Sequence, residues 1–471
     1  MTLRPVPTRP PARLLPAGVV LLLAGAILLP GCASHSRDLA AVRASLLSGD
    51  VPQAVAEFEK QDGKDNDLLW LLERGYMLHL GGQWEESNQA FEAAELRSEE
   101  LYTKSVSRQA AALLTSDLAL PYRALPYELQ MVQYYRALNY LELGLRDDAL
   151  VEARKANQLL AELSEKDPDE AATRENAFLY YFTGLLYESE GEINDAIVSL
   201  RDADTTYASS RQDFGVTAPS WVGEDYFAAA DYLGLEDETE KLVASDSTVV
   251  TRSRAHDENN LVVFFESGFV PYREAADITL PIFDTSGNKA DPWDRATRYT
   301  HRYGSRIYTY RAGTVEVDHV LRFAFPYLVD PPSLLGYCEL TLPDGQVLRA
   351  QPALDLGAVA HAEFQDRIPG MLLKTIARAF AKETARKQAK KQDTALGWVV
   401  NAINVATEQA DTRSWIFLPR RIDLVKAAVP PGTDTVIARF RDFSGKILDE
   451  WTLEVTSAPG ETQFVSVRSF Q

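Results

Sequence analysis

The chain has 471 residues, a formal net charge of −20, two cysteines and six histidines. That length is too great for one ordinary core and implies two or three domains. The acidity is concentrated: residues 36–245 hold 40 Asp and Glu against 18 Lys and Arg, while residues 246–471 hold 28 against 27. The step near residue 245 marks a domain boundary, and the acidic half excludes nucleic-acid phosphate as its partner.

Residues 1–31 read as a secretory signal. Arg4, Arg9 and Arg13 are the only charges ahead of an uncharged, mostly apolar run from Leu14 to Leu29, too short for a comfortable membrane span. Leu28-Leu29-Pro30-Gly31-Cys32 resembles the bacterial lipoprotein signal, in which a diacylglycerol is thioether-linked to the cysteine before cleavage. The resemblance implies a mature chain that starts at Cys32, is held in the membrane by acyl chains, and has residues 32–36 as its tether. Ala33 and Ser34, in place of Asp, imply the periplasmic side of a Gram-negative outer membrane. Cys338 is then left without a disulfide partner. In YCELTLPDG it alternates with Tyr337 and Glu339, which puts its sulfur on the apolar face of a strand as a buried structural thiol.

Residues 37–245 are rich in Ala, Leu, Glu and Tyr at helical spacing, and three stretches are self-similar. Aligned on Gly82, Gly144 and Gly191, they share a small residue seven positions back (Gly75, Ala137, Gly184). They also share Ser87, Ala149 and Ala196, then Ala94, Ala156 and Ala203, beyond the turn. A weaker unit precedes them around Gly49, and half of one follows around Gly234. This resembles the tetratricopeptide (TPR) pattern, in which small residues let paired antiparallel helices approach and large ones wedge between neighbours. The spacing is longer than the regular repeat, with extra residues at 99–130 and 157–177, expected as an inserted helix and a charged loop.

Tetratricopeptide geometry implies a groove lined by Leu72, Tyr76 and His79, then Tyr134, Leu138 and Glu142, then Tyr181, Leu185 and Glu188. An aromatic, acidic groove suits a basic or amphipathic peptide of an envelope protein. The alternative is that these tyrosines pack against inserted elements or the second domain.

From residue 246 the period changes, giving an α+β domain with strands over 260–350, helices over 358–409 and strands over 420–470. NNLVVFFESG reads as a strand buried on both faces, and the later strands alternate and are separated by Pro-Asp-Gly, Pro-Pro-Gly and Phe-Ser-Gly turns, as in a small antiparallel sandwich or meander. The helices are expected over Ala358–Gln365 and Met371–Gln409. Within them Lys374, Arg378, Lys382, Arg386 and Lys390 recur every four residues as one basic stripe. The stripe suits anionic lipid, cell-wall polymer or an acidic protein face, including the chain's own repeat half. The fold class expected is thus multidomain α + β: a TPR-like helical array, then a mixed domain with antiparallel strands and a long basic helix.

No constellation for chemistry emerges. The histidines lack metal-ligand spacing, and no HExxH, CxxC, GxSxG or phosphate-binding glycine loop occurs. No cofactor, metal or catalytic residue is expected, and the chain reads as a binding protein rather than an enzyme. YRALPYELQMVQYYRALNYLELGLRDDALVEARKA, NNLVVFFESGFVPYREAADITLPI and ADTRSWIFLPRRIDLVKAAVPPGT together are similar to a family of bacterial tetratricopeptide outer-membrane lipoproteins of no assigned activity. That resemblance implies a lipid-anchored periplasmic scaffold linked to envelope or peptidoglycan assembly. The other readings are a cell-wall polymer receptor acting through the C-terminal domain and a hydrolase with an unrecognised site.

Overall fold

The computed structural model describes residues 35–61, 63, 67–103, 118, 120–166, 176–255, 259–283, 297–303, 306–312, 317–392, 409–458 and 460–471. The signal, Cys32, residues 104–117 and 167–175 of the two expected insertions, and residues 393–408 lie outside them.

After a short helix α1 (His35–Asp38), the first half is a stack of antiparallel helix pairs. These are α2 (Ala40–Leu47) with α3 (Val51–Phe58), α4 (Leu68–Leu80) with α5 (Trp84–Thr103), and α6 (Pro126–Glu142) with α7 (Arg146–Lys166). They are followed by α8 (Ala177–Ser189) with α9 (Ile193–Phe214), α10 (Ser220–Tyr232) with α11 (Glu236–Ser245), and a closing helix α12 (Val249–Ala255). Gly49, Gly82, Gly144, Gly191 and Gly234 turn the successive pairs with φ between 69° and 79°, a left-handed conformation that costs a side chain strain. The small residue seven back is a packing requirement. A Cβ on Gly75 would come within 2.6 Å of the Phe91 ring, and one on Gly184 within 2.8 Å of Leu200. Ser87, in the same register, donates to the Gly75 carbonyl at 2.7 Å. The charge step at residue 245 is therefore not the edge of the array. Helix α12 packs on α10 beyond it, and the strands begin at Leu261.

The second half holds two four-stranded sheets. One runs β12 (Gln463–Ser469), β1 (Leu261–Ser267), β9 (Arg421–Ala427), β8 (Gln351–Asp355), and β1 lies parallel to β12 but antiparallel to β9. The other runs β11 (Ile447–Ser457), β10 (Gly432–Asp442), β6 (Leu335–Thr341), β7 (Val347–Arg349), all antiparallel. Every residue of β1 is buried because its two faces meet different layers. Phe264 points at the helices, its ring centroid 6.0 Å from Tyr134 and 5.6 Å from Phe182, whereas Phe265 meets Phe440 of the second sheet at 5.5 Å. Three layers result: repeat array, first sheet, second sheet. Cys338, on β6, is fully buried, and burial pushes its thiol well above the ordinary range, as the alternation around it implies.

Two further two-stranded elements stand apart from these sheets. A long two-stranded ribbon pairs β2 (Tyr272–Phe283) with β5 (Val317–Val329), and β3 (Thr297–Tyr303) forms a hairpin with β4 (Arg306–Ala312). The expected break at Pro369-Gly370 is absent. A single helix, α13, runs Leu356–Gln392 with Pro369 inside it. An interior proline costs a helix roughly 3 kcal/mol, and the packing of α13 on β5, α6 and α9 offsets that loss. Among the described residues, no helix is long and apolar enough to cross a membrane.

Candidate functional site: the concave face of the repeat array

The inner helices α4, α6 and α8 bring the expected groove residues together along one face, but that face is covered by the chain's own C-terminal half. Leu72, Tyr76, His79, Tyr134, Leu138, Tyr181 and Leu185 are all buried; Glu142 is exposed and Glu188 half-buried. The physical reason lies in the partner surface. The first sheet presents Phe264 to Tyr134, the segment leading into β9 presents Trp415 to Tyr76, and burying aromatic area of this size dominates over leaving it in water.

The segment from Ala410 to Leu418 lies on this face as a peptide ligand would. It has almost no regular structure, yet Thr412, Ser414, Trp415, Ile416, Phe417 and Leu418 are buried. The Trp415 ring lies 6.1 Å from Tyr76 and 6.0 Å from Phe91. Two carboxylates from the array meet its backbone. Glu128 accepts from the Trp415 N–H at 2.9 Å, as well as from the Leu125 N–H and the Tyr122 hydroxyl, each at 2.7 Å. Glu73 accepts from the Ile416 backbone and, at 2.8 Å, pairs with His35. Burial pushes both carboxyls above their usual range. Burial also acts to lower His35, but the adjacent Glu73 outweighs it and holds the imidazole above the ordinary histidine range.

Charged pairs stitch the rest of the interface. Arg468 of β12 donates to the Tyr76 hydroxyl at 3.0 Å and the Ser469 carbonyl at 2.6 Å, and it also reaches the Gly268 carbonyl. Burial raises Tyr76 to about 12, so its hydroxyl stays protonated. Glu266 of β1 is 1 % exposed and accepts from Tyr135 at 3.1 Å; burial raises it while the charge of Arg468 pulls it back down. Lys426 of β9 meets Asp225 of α10 at 2.7 Å, and the other Asp225 oxygen accepts from Tyr181 at 2.7 Å. His79 is lowered to about 4 by burial, which its hydrogen bond to Asn139 at 2.6 Å only partly offsets, so it is a neutral polar strut.

Helix α13, which carries the basic stripe, packs on α6 and α9 of the array. Lys374 is half-buried and Arg378 is buried on α13, while the side chains of Lys382, Arg386 and Lys390 lie outside the described residues. The residues that join the halves, Arg468, Lys426, Glu266 and Trp415, carry no signal of that role in the sequence. Only the density of aromatic and charged residues in ADTRSWIFLPR and FVSVRSF sets them apart. At the far end of the concave face, Leu185 and Glu188 line an open cleft of about 700 Å³ together with Glu224, Asp225, Lys426 and Glu461.

No family model matches the chain, and no curated protein matches it. Solved structures do. MamA from Desulfovibrio magneticus RS-1 is 14% identical over 46% of this chain and 93% of its own, with a TM-score of 0.26. A kinesin light chain of Podosopora anserina with nearly identical TPR-like repeats is 13% identical over 46% of this chain and 95% of its own, with a TM-score of 0.29. Aspartyl phosphate phosphatase F from Bacillus subtilis is 15% identical over 44% of this chain and 46% of its own, with a TM-score of 0.28.

Proposed function

We propose that this chain is a lipid-anchored scaffold on the periplasmic side of a bacterial outer membrane, which binds a protein partner during envelope or peptidoglycan assembly. The observation that carries the binding role is the array's grip on an extended segment of its own chain. Aromatic rings take Trp415, and the carboxylates of Glu73 and Glu128 take backbone N–H groups. The titratable groups of that face are spent on one another across the interface, which suits holding a polypeptide better than proton transfer. With the face occupied from within, a partner docks on the surfaces that remain. The anchor rests on the Leu-Pro-Gly-Cys sequence. It is supported by the short distance along the chain from Cys32 to His35 and Ser36, which are pinned to Glu73 and Glu274 at 2.8 Å and 2.6 Å. Residues 35 and 36 thus belong to the folded body and not to the tether, so the acyl chains would hold the body directly against the bilayer.

Cys32→Ala is expected to abolish incorporation of labelled palmitate and to leave an uncleaved precursor. A photocrosslinker in place of Val198, which is 50% exposed on α9, is expected to give a discrete adduct with an envelope protein in cells carrying the lipidated chain and none with Cys32→Ala. Palmitate labelling that persists in the variant would overturn the anchor. Equal adducts with and without Cys32 would overturn its role in placing the scaffold.

A further inference from the structure

One corner of the protein holds bulky apolar side chains in water. The turn between β10 and β11 carries Phe443 at 86% exposure, and Leu334, just before β6, is 57% exposed. The β6–β10 register brings the two together. Leu335 pairs with Asp442, and a Cβ on Gly336 would come within 2.6 Å of the Phe443 backbone nitrogen. Ile447, opposite Arg441 on β11, adds a third exposed side chain. Leu47, the exposed last residue of α2, joins this corner through the end of β12. Gln471 donates to the Leu47 carbonyl at 2.8 Å, and Ser469 donates to Asp449, two residues after Ile447, at 2.9 Å.

The turn is braced with its ring outward. The Asp442 carboxylate accepts from the Ser444 N–H at 2.8 Å, the Ser444 hydroxyl at 2.7 Å and the Lys446 N–H at 2.9 Å. Arg441 donates to the Gly445 carbonyl at 2.7 Å, and Gly445 completes the turn at φ 88°. A slack loop could fold its phenyl ring back onto the protein, whereas this one forgoes that burial. Single exposed apolar residues are ordinary, but several from separate pieces of chain at one corner make a patch.

The N-terminal helices indicate what covers it. Arg43 of α2, eleven residues beyond Cys32, stands 5.2 Å over the Phe269 ring. A Cβ on the neighbouring Gly268 would lie 3.6 Å from Ser333, the residue before Leu334. The patch thus adjoins the helices that follow the anchoring cysteine. Lys446, exposed beside Phe443, suits a lipid phosphate. A net charge of −20 gives the chain no general attraction to an anionic membrane, so apolar burial has to supply the contact.

We infer that Phe443, Leu334, Ile447 and Leu47 form a second membrane contact, entering the interfacial layer of the bilayer that holds the acyl chains. The inference rests on the lipid-anchored reading and deepens it. The anchor supplies attachment, and the patch, which meets the bilayer at high effective concentration once the anchor is in place, sets which face of the body lies against it.

The test uses the full mature chain floated with vesicles of phosphatidylethanolamine and phosphatidylglycerol, in which brominated acyl chains act as quencher. A nitrobenzoxadiazole probe is attached to Leu334→Cys or, for comparison, to Tyr232→Cys, at a position 78% exposed at the end of α10. Cys338 is buried, and the chain without an added cysteine serves as the blank. Brominated lipid is expected to quench the probe at 334 at least threefold and to leave that at 232 unchanged. Phe443→Asp, added to the Leu334→Cys chain, is expected to abolish most of the quenching without altering the melting temperature. Equal quenching at 334 and 232, quenching that survives Phe443→Asp, or an unquenched 334 probe in a chain that incorporates palmitate and floats would each overturn the patch and leave the anchor standing. Selective quenching at 334 in a chain that takes up no palmitate would overturn the anchor and leave the patch. A chain that neither takes up palmitate nor floats overturns both.

Discussion

Replacing Arg468 with alanine is expected to destabilise the protein by about 3–5 kcal/mol, the usual cost of removing one member of a buried charged set. Arg468 is 6% exposed and does three jobs at once. It donates to Tyr76 of the array, satisfies backbone carbonyls of its own sheet, and stacks over Phe470 with 4.6 Å from its guanidinium carbon to the ring centroid. It also supplies the positive charge that offsets buried Glu266. The double variant Arg468→Ala, Glu266→Gln is expected to recover part of the loss, because the carboxylate left uncompensated is gone. Urea unfolding of the three proteins measures this. A loss below about 1 kcal/mol for Arg468→Ala would mean that the side chain is not part of the interface core.

Glu363→Gln is expected to act in the opposite direction, raising stability above neutral pH. Glu363 lies on α13, 4% exposed, with Arg367 at 2.6 Å; Glu128, Arg273 and Arg367 are the charged groups around it. Burial, only partly offset by Arg367, lifts its carboxyl from 4.5 to about 7. A carboxyl raised in this way keeps its proton in the folded state while the unfolded chain loses it. The folded state therefore loses stability as pH rises from about 4.5 to about 7, and carries the whole penalty above that. Such a shift corresponds to a loss on the order of 3 kcal/mol. The glutamine variant removes this contribution, and its pH–stability curve should be flatter over that window than the parent's. Thermal unfolding between pH 4.5 and 8 checks it, and parallel curves for the two proteins would contradict it.

Much of the fold was legible in the sequence because its signals are local. A turn glycine must adopt positive φ, and a small residue seven positions before it must admit a large one from the facing helix, so Gly75 and Phe91 announce each other. The uninterrupted apolar run of β1 announced burial on both faces. The helix through Pro369 was not legible, since the packing that sustains it comes from β5, α6 and α9, which are distant in sequence. The candidate groove was legible as a face and not as a state. Tyr76, Tyr134 and Tyr181 were identified from repeat geometry, but nothing near them in sequence says that Trp415, Phe264 and Arg468 cover them. The joining cations, Arg468 and Lys426, sit singly in short strands.

Hydrogen exchange on the full mature chain shows whether residues 410–418 occupy the concave face as an internal ligand. An exposed connection without regular structure exchanges its amides rapidly. Here the Trp415 N–H is bonded to Glu128 and the residues after it are buried. The amides of Trp415 to Leu418 are expected to exchange as slowly as those of β1, and Glu128→Ala to accelerate them selectively. Exchange of this segment within seconds in the unmodified protein would contradict it.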